Sequence, residues 1–397
     1  MSKPSRASLI TGVTLAVVLS LVGCGSSSST SSSSSTSTAS AGSAPGSSDA
    51  AGGSGAATGG VAAAQLVVDK YSKEPTRFPV DQPLTKGLAP GQKIAFLQCA
   101  APFCALLGQL YDAATSIMGI PSVTTVKSGP SVDSIVASLS SIKSTKPAAV
   151  LLPAVNLGAV GSEVKKLSAS GIPVIGAGVM GGPEQGIGAP VNGPNNYIVH
   201  GQILADWAIV TAGDQANVVW YGNPEFDFTK VITSSFKAEM SKNCPACKVR
   251  YVDIPGATIG TTAPSRVVSD LQANPSTQIA LFSSLETATG LPAALKVAGI
   301  KVKISGSAPV PANLQDMKTG GIDSAVGLDA GVLAFTQVDA AVRLATGQPL
   351  TSAETNGDIP SQLITKTNLP ADVSKGFSAY PDFVQRFTTL WAKARTT

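Results

Sequence analysis

Several residue clusters in this 397-residue chain have the types and spacing of reactive chemistry. Ser162-Glu163-Val164-Lys165, Ser241-Lys242-Asn243 and Lys318-Thr319-Gly320 occur in the order used by serine acyl transfer with a lysine partner. Cys244-Pro245-Ala246-Cys247 has the spacing of a redox dithiol. Gly176-Ala177-Gly178-Val179-Met180-Gly181 spells a dinucleotide-cradling loop. Each chemistry demands a local setting. An acylated serine should open a helix at a cleft, yet Ser162 lies inside an amphipathic helical pattern, and Lys318-Thr319-Gly320 ends a helix instead of lying on a strand. The dithiol follows a helix and precedes a strand, whereas a reactive cysteine sits at a helix N-terminus. After the glycine run come Gly182-Pro183, not a helix, and no acidic residue ends a second strand about twenty positions on. His200 is the single histidine, too little for histidine catalysis or a histidine-rich metal site. The expectation is therefore no enzyme, no cofactor and no metal, with an acyl-serine hydrolase of the penicillin-binding class as the enzyme alternative.

The elements that position these residues are clearest at 148–178. Ala148 to Leu152 is a short apolar run, continuous enough for a strand buried on both faces. Asn156 can cap the following helix, on which Val160, Val164 and Leu167 recur at helical spacing. Gly171 ends that helix, and Ile172-Pro173-Val174-Ile175 begins a second strand. Two buried parallel strands need such a crossover helix, so this is a β-α-β unit.

The same alternation extends from about residue 93 to 394. Strands are expected at 93–97, 123–126, 217–221, 249–254, 278–282, 302–305, 324–328 and 362–365. Helices are expected at 105–118, 131–142, 199–210, 228–240, 265–271, 287–297, 314–318, 332–344 and 383–394. Roughly ten strands exceed one ordinary doubly wound sheet, so the fold class is α/β with two doubly wound parallel-sheet lobes.

The N-terminus reads as export. Lys3 and Arg6 precede a mostly apolar run at 9–22, short for a membrane span and right for a signal-peptide core. Leu21-Val22-Gly23-Cys24 resembles the lipobox of bacterial lipoproteins, which implies a signal peptide at 1–23 and acylation of Cys24. Residues 24–64, rich in Ser, Gly and Ala, read as a tether that cannot bury enough apolar surface to order itself. Formal net charge is +4, and only +2 without Lys3 and Arg6, so nucleic acid is not an expected partner. In an exported protein the remaining cysteines pair by default as Cys99 with Cys104 and Cys244 with Cys247, the redox reading of the second pair being the alternative.

Taken in order, several segments resemble the type I periplasmic binding proteins of the ribose-binding kind. These are 148–178, Asn195-Asn196-Tyr197 with Gly201, 284–300, the turn Met317-Lys318-Thr319-Gly320-Gly321-Ile322-Asp323, 338–347 and 383–391. The resemblance implies two lobes joined by a multi-crossing hinge near Asn195, Asp329 and Gly347. It implies an N-terminal lobe of 91–194 and 330–347, and a C-terminal lobe of 195–329 and 348–397. It further implies a lipid-anchored protein on the extracellular face of the cell membrane that delivers a small solute to the permease of an ABC importer. A sensor presenting the solute to a membrane signalling receptor is the alternative.

The sequence departs from that pattern where sugar-binding members carry polar ligand partners. Gly176-Ala177-Gly178, Ser284-Leu285 and Gly306-Ser307-Ala308 stand in those places. A buried hydroxyl without its acceptor costs about 1–3 kcal/mol, so a solute less hydroxylated than ribose or glucose is expected. Ligands of open α/β sheets lie at the carboxyl ends of strands. That rule nominates Gln98, Phe103, Asn156, Met180, Trp220, Asn223, Phe226, Ser284, Glu286 and Asp329 as ligand-binding residues. Trp220 could equally be core, and Asp329 a helix cap or hinge bond.

Overall fold

The computed structural model describes residues 57–129 and 131–395. The signal segment, Cys24 and most of the expected tether lie outside the described residues.

Helix α1 (Ala57–Tyr71) precedes the first alternating series. That series runs β1 (Ile94–Gln98), α2 (Pro102–Met118), β2 (Thr124–Lys127), α3 (Val132–Ser144), β3 (Ala149–Pro153), α4 (Leu157–Ala169), β4 (Val174–Ala177) and β5 (Ala189–Val191). The second follows as α5 (Pro194–Ala212), β6 (Asn217–Gly222), α6 (Asp227–Asn243), β7 (Lys248–Asp253), α7 (Ala263–Ala273), β8 (Ile279–Phe282), α8 (Leu291–Ala298), β9 (Lys303–Gly306), α9 (Pro311–Thr319) and β10 (Ser324–Leu328). The chain closes with α10 (Ala330–Ala345), α11 (Ser352–Asn356), β11 (Ser361–Thr365) and α12 (Phe383–Leu390).

The strands form two parallel sheets of like order, β2-β1-β3-β4-β5 and β7-β6-β8-β9, plus an antiparallel pair β10-β11. A bridge between Ser307 and Val326 ties β10 to the chain just beyond β9. The inner strands of both sheets are buried on both faces, because they are continuous apolar runs, while the edge strands β2 and β7 are partly exposed. Ile94, Phe96, Ala149 and Leu151 pack on one face with α2 and α10, while Ala95, Leu97, Val150 and Leu152 pack on the other with α3 and α4. In the second sheet Val219 and Tyr221 share a core with α7 and α8, and Val218 and Trp220 share one with α5 and α6. The fold is thus doubly wound twice over.

Three local differences from the sequence reading have physical causes. Residues 57–64, expected to belong to a tether, lie within α1, which packs through Val61, Ala64, Val67, Val68 and Tyr71 onto the core beneath α5 and α6. Composition alone misses this because the helix gains its stability from a tertiary partner. The approach is close: a Cβ on Gly60 would collide with the Asn243 carbonyl oxygen. The helix expected over 287–297 splits into a single 3-10 turn, Leu285–Ala288, and α8, whose second residue Pro292 has no amide to continue a ladder from upstream. Strand β5 and helix α11 went unread, β5 because Pro190 interrupts a segment of only three residues.

Candidate functional site

In each sheet the helices change sides between the first strand of the series and the one reached by stepping over it, between β1 and β3 and between β6 and β8. A crevice opens outside the carboxyl ends of strands at such a switch point. Gln98 ends β1, Phe103 lies in the first turn of α2, and Asn156 precedes α4. On the second sheet Asn223 and Phe226 follow β6, while Ser284 and Glu286 follow β8. Met180 lies just beyond β4.

The two sets meet. Ala101 caps α2 without a side-chain bond, and the amide of Phe103 donates to Glu286 Oε1 at 3.2 Å across 183 residues of sequence. Only 6% of Glu286 is exposed. Burial pushes its carboxyl above the usual range, and the Phe103 amide pulls part of the way back. The disulfide Cys99–Cys104 brackets Phe103 and fixes the start of α2. Met180, from the first sheet, packs against a cluster holding Tyr197 and Phe228. Phe228 lies 5.1 Å from Tyr197 and 5.8 Å from Phe226, ring centre to ring centre. An aromatic row therefore runs from the start of α6 towards the end of β4.

Asn223 stands behind this surface. Its Nδ2 donates to the Ile254 carbonyl at 2.9 Å, and its Oδ1 accepts from the hydroxyls of Ser283 and Thr287, each at 3.2 Å. It holds the loops after β6, β7 and β8 in register. Ser284 caps the 3-10 turn that carries Glu286, with no side-chain cap bond. Gln98 and Asn156 are half-buried at their strand ends.

Two nominated residues lie elsewhere. Trp220 is 1% exposed, stacks on Phe236 at 4.3 Å, and donates its Nε1–H to Thr233 Oγ1 at 3.0 Å. It is a core residue, because its position on β6 faces α6 and not the crevice. Asp329 is fully buried; Oδ1 accepts from the Val332 amide at 2.9 Å and Oδ2 from Ser378 Oγ and the Ala379 amide, both at 2.8 Å. It caps α10 and ties down the chain before α12. Burial raises its pKa to about 6 against the pull of those donors.

Sequence reasoning passed over a polar cluster at the crossings between the sheets. Asn192 Nδ2 donates to the Tyr197 hydroxyl at 2.7 Å, and Asn196 Nδ2 to Asn192 Oδ1 at 2.6 Å. His200 is buried, with Nδ1 2.7 Å from Ser307 Oγ and Nε2 3.0 Å from Ser361 Oγ. Burial pushes its pKa down to about 3, so the ring is neutral and joins these crossings by hydrogen bonds. The run Asn195-Asn196-Tyr197 marked this segment, but nothing in it announced Asn192, which adopts φ +58°.

None of the reactive clusters finds its setting. Ser162 is exposed inside α4, and no hydrogen bond joins it to Ser241 or Lys318. Cys244 and Cys247 form a disulfide across the turn from α6 to β7. Among the described residues no cluster of His, Cys, Asp and Glu could hold a metal ion, and no helix is long and apolar enough to cross a membrane. Two surface cavities, of about 260 and 400 Å³, are lined by other residues than those at the switch points.

A periplasmic binding protein domain matches residues 100–349. The chain belongs to that family. Its members are binding proteins, and the fold is that of solved structures across the type I class. An ABC transporter solute-binding protein from Agrobacterium vitis, bound with α-D-tagatopyranose, is 19% identical, with a TM-score of 0.60 over 72% of this chain and 100% of that one. The 5-methylthioribose transporter solute-binding protein of Thermotoga lettingae TMO is 16% identical, with a TM-score of 0.62 over 76% and 99%. A LacI-type transcriptional regulator from Bacteroides fragilis, so described provisionally, is 12% identical, with a TM-score of 0.61 over 70% and 98%. Comparison with curated proteins finds no match.

Proposed function

We propose that the chain is an extracellular solute receptor, anchored by lipid on Cys24, that closes two lobes on a small molecule and delivers it to an ABC importer. The lobes would be 91–194 with 330–359 and 380–395, and 195–329 with 361–377. This corrects the expected 348–397, because Ile359, Tyr380, Phe387 and Trp391 lie in the first sheet's core while Leu363, Ile364, Val373 and Phe377 lie in those of the second. The observation that carries the reading is the meeting of both switch points, where Glu286 of the second sheet reaches the first turn of α2. Gln98, Phe103, Asn156, Met180, Phe226, Ser284 and Glu286 form the ligand surface, with Asn223 fixing their loops. Tyr197 and Phe228 extend that surface.

Phe103, Phe226, Tyr197, Phe228 and Met180 give this set an apolar wall beside its polar residues, which supports a solute with an apolar face and fewer hydroxyls than ribose or glucose. Burying one ligand face on an aromatic wall contributes about 1–3 kcal/mol, comparable to the hydrogen bonds that the glycines at 176 and 178 cannot make. A thermal-shift screen of sugars, thiosugars, polyols and aromatic compounds, followed by calorimetry, tests the reading. Tight binding of free ribose or glucose would contradict the ligand class, and no ligand at all would contradict the receptor. Regulators share the fold, so a sensor is the second reading; an adjacent permease gene separates the two.

A further inference from the structure

Glu286 is the one carboxylate of the ligand surface, and its two oxygens are placed differently. Oε1 is fixed by the Phe103 amide at 3.2 Å. Oε2 has no hydrogen-bond partner among the described residues and is not one of their buried unpartnered atoms, so this mostly buried side chain reaches solvent through Oε2. No ion pair of the described residues includes Glu286. Gln98, Phe103, Asn156, Met180, Phe226 and Ser284, its companions at the strand ends, bring no cation either.

A carboxylate this buried has lost part of its hydration for a single hydrogen bond at the amino end of α2, and keeps the rest at Oε2. A ligand ammonium or hydroxyl at Oε2 would restore part of that loss, whereas a ligand carboxylate or phosphate would place like charge in a poorly screened space. The Cys99–Cys104 disulfide holds the α2 amide that orients the carboxylate, so the donor-seeking oxygen has a fixed direction.

We infer that Glu286 Oε2 is a donor-binding subsite that makes the receptor selective for cationic or neutral donor solutes and excludes anions. The assignment rests on the solute-receptor reading above and names the ligand's charge class.

The test uses the full chain and matched probes: benzylamine, benzyl alcohol and benzoate, with cyclohexylamine, cyclohexanol and cyclohexanecarboxylate as a second set. Thermal shifts and calorimetry are read for the wild type, Glu286→Gln and Glu286→Ala. The amines should bind best and the carboxylates not at all. Glu286→Gln should lose at least about tenfold in amine affinity, the size of a charge-assisted bond, while changing alcohol affinity by less than about threefold. Hydrogen exchange at Phe103 provides a ligand-free reading: Glu286→Ala should accelerate it, and Glu286→Gln less so. Carboxylates that bind as well as the amines overturn this assignment and leave the receptor standing. Amine binding that is indifferent to both substitutions, or unchanged exchange at Phe103 in Glu286→Ala, also overturns it. Silence from every probe in every protein overturns this subsite and leaves the receptor to the broader screen.

Discussion

The hydroxyl of Tyr197 lies 2.7 Å from where a Cβ on Gly178 would stand. Tyr197 comes from α5 and Gly178 follows β4, so a side chain of the second series fills the place that a side chain of the first would need. Gly178 also adopts φ +68°, which other residues reach with strain.

Gly178→Ala should therefore lower stability by about 2–4 kcal/mol, combining backbone strain with overpacking. In a Tyr197→Phe background the clash is relieved and only the strain remains. A double-mutant cycle by denaturant unfolding should give a coupling of about 1 kcal/mol or more. Additive effects would show that the hydroxyl does not occupy the Gly178 volume.

Trp220 gives a prediction opposite to the one a loop-tip aromatic suggests. Its stack on Phe236 and its bond to Thr233 place it in the core. Trp220→Ala should destabilise the protein by about 3–5 kcal/mol. Chemical denaturation reads this directly. A variant of unchanged stability but weakened ligand binding would return Trp220 to the crevice.

The difference between Trp220 and Phe226 shows what the sequence could and could not tell. Alternation of apolar runs with helical patterns specified both sheets, because parallel strands buried on two faces read as continuous hydrophobic segments. That same continuity hides orientation: in Asn217–Gly222 nothing says which alternate residues face α6 and which face α7. Residues beyond the strand ends were easier, since every doubly wound sheet opens there, and Phe103 and Glu286 were legible as neighbours of a crevice but not of each other. Asp329 was legible as a cap from its place before a helical pattern. The Asn192-Tyr197-His200 cluster was not, because its bonds depend on a left-handed Asn192 and on serines more than 100 residues away.

The anchor is tested at Cys24. The lipobox resemblance predicts that Cys24→Ala releases the protein from membranes or leaves its precursor uncleaved. Mass spectrometry that finds mature wild-type protein with an unmodified Cys24 would refute it. The same samples, denatured without reductant, should show no free thiol at Cys99, Cys104, Cys244 or Cys247, all four being paired.

Asp206 provides the pH dependence. It lies fully buried on α5, where Oδ1 accepts from Asn243 Nδ2 at 2.9 Å and Oδ2 has no partner. Glu239 shares the same Asn243 amide at 2.7 Å. Burial raises the Asp206 pKa from 3.8 to about 7; the Asn243 bond opposes this, and Glu239 adds to it. The folded state thus holds a proton that the unfolded chain has released across the window from about pH 4 to 7. The unfolded state binds fewer protons there, so this group's contribution to stability falls as pH rises through the window and is level above it. Asp206→Asn removes that dependence. The variant should match the wild type near pH 4 and exceed it by about 1–3 kcal/mol at pH 8, a discounted conversion of the shift. Urea unfolding of both proteins across this range checks it. A stability difference that is constant with pH, or that grows towards acid, would mean that the Asp206 carboxyl is already ionised in the folded protein.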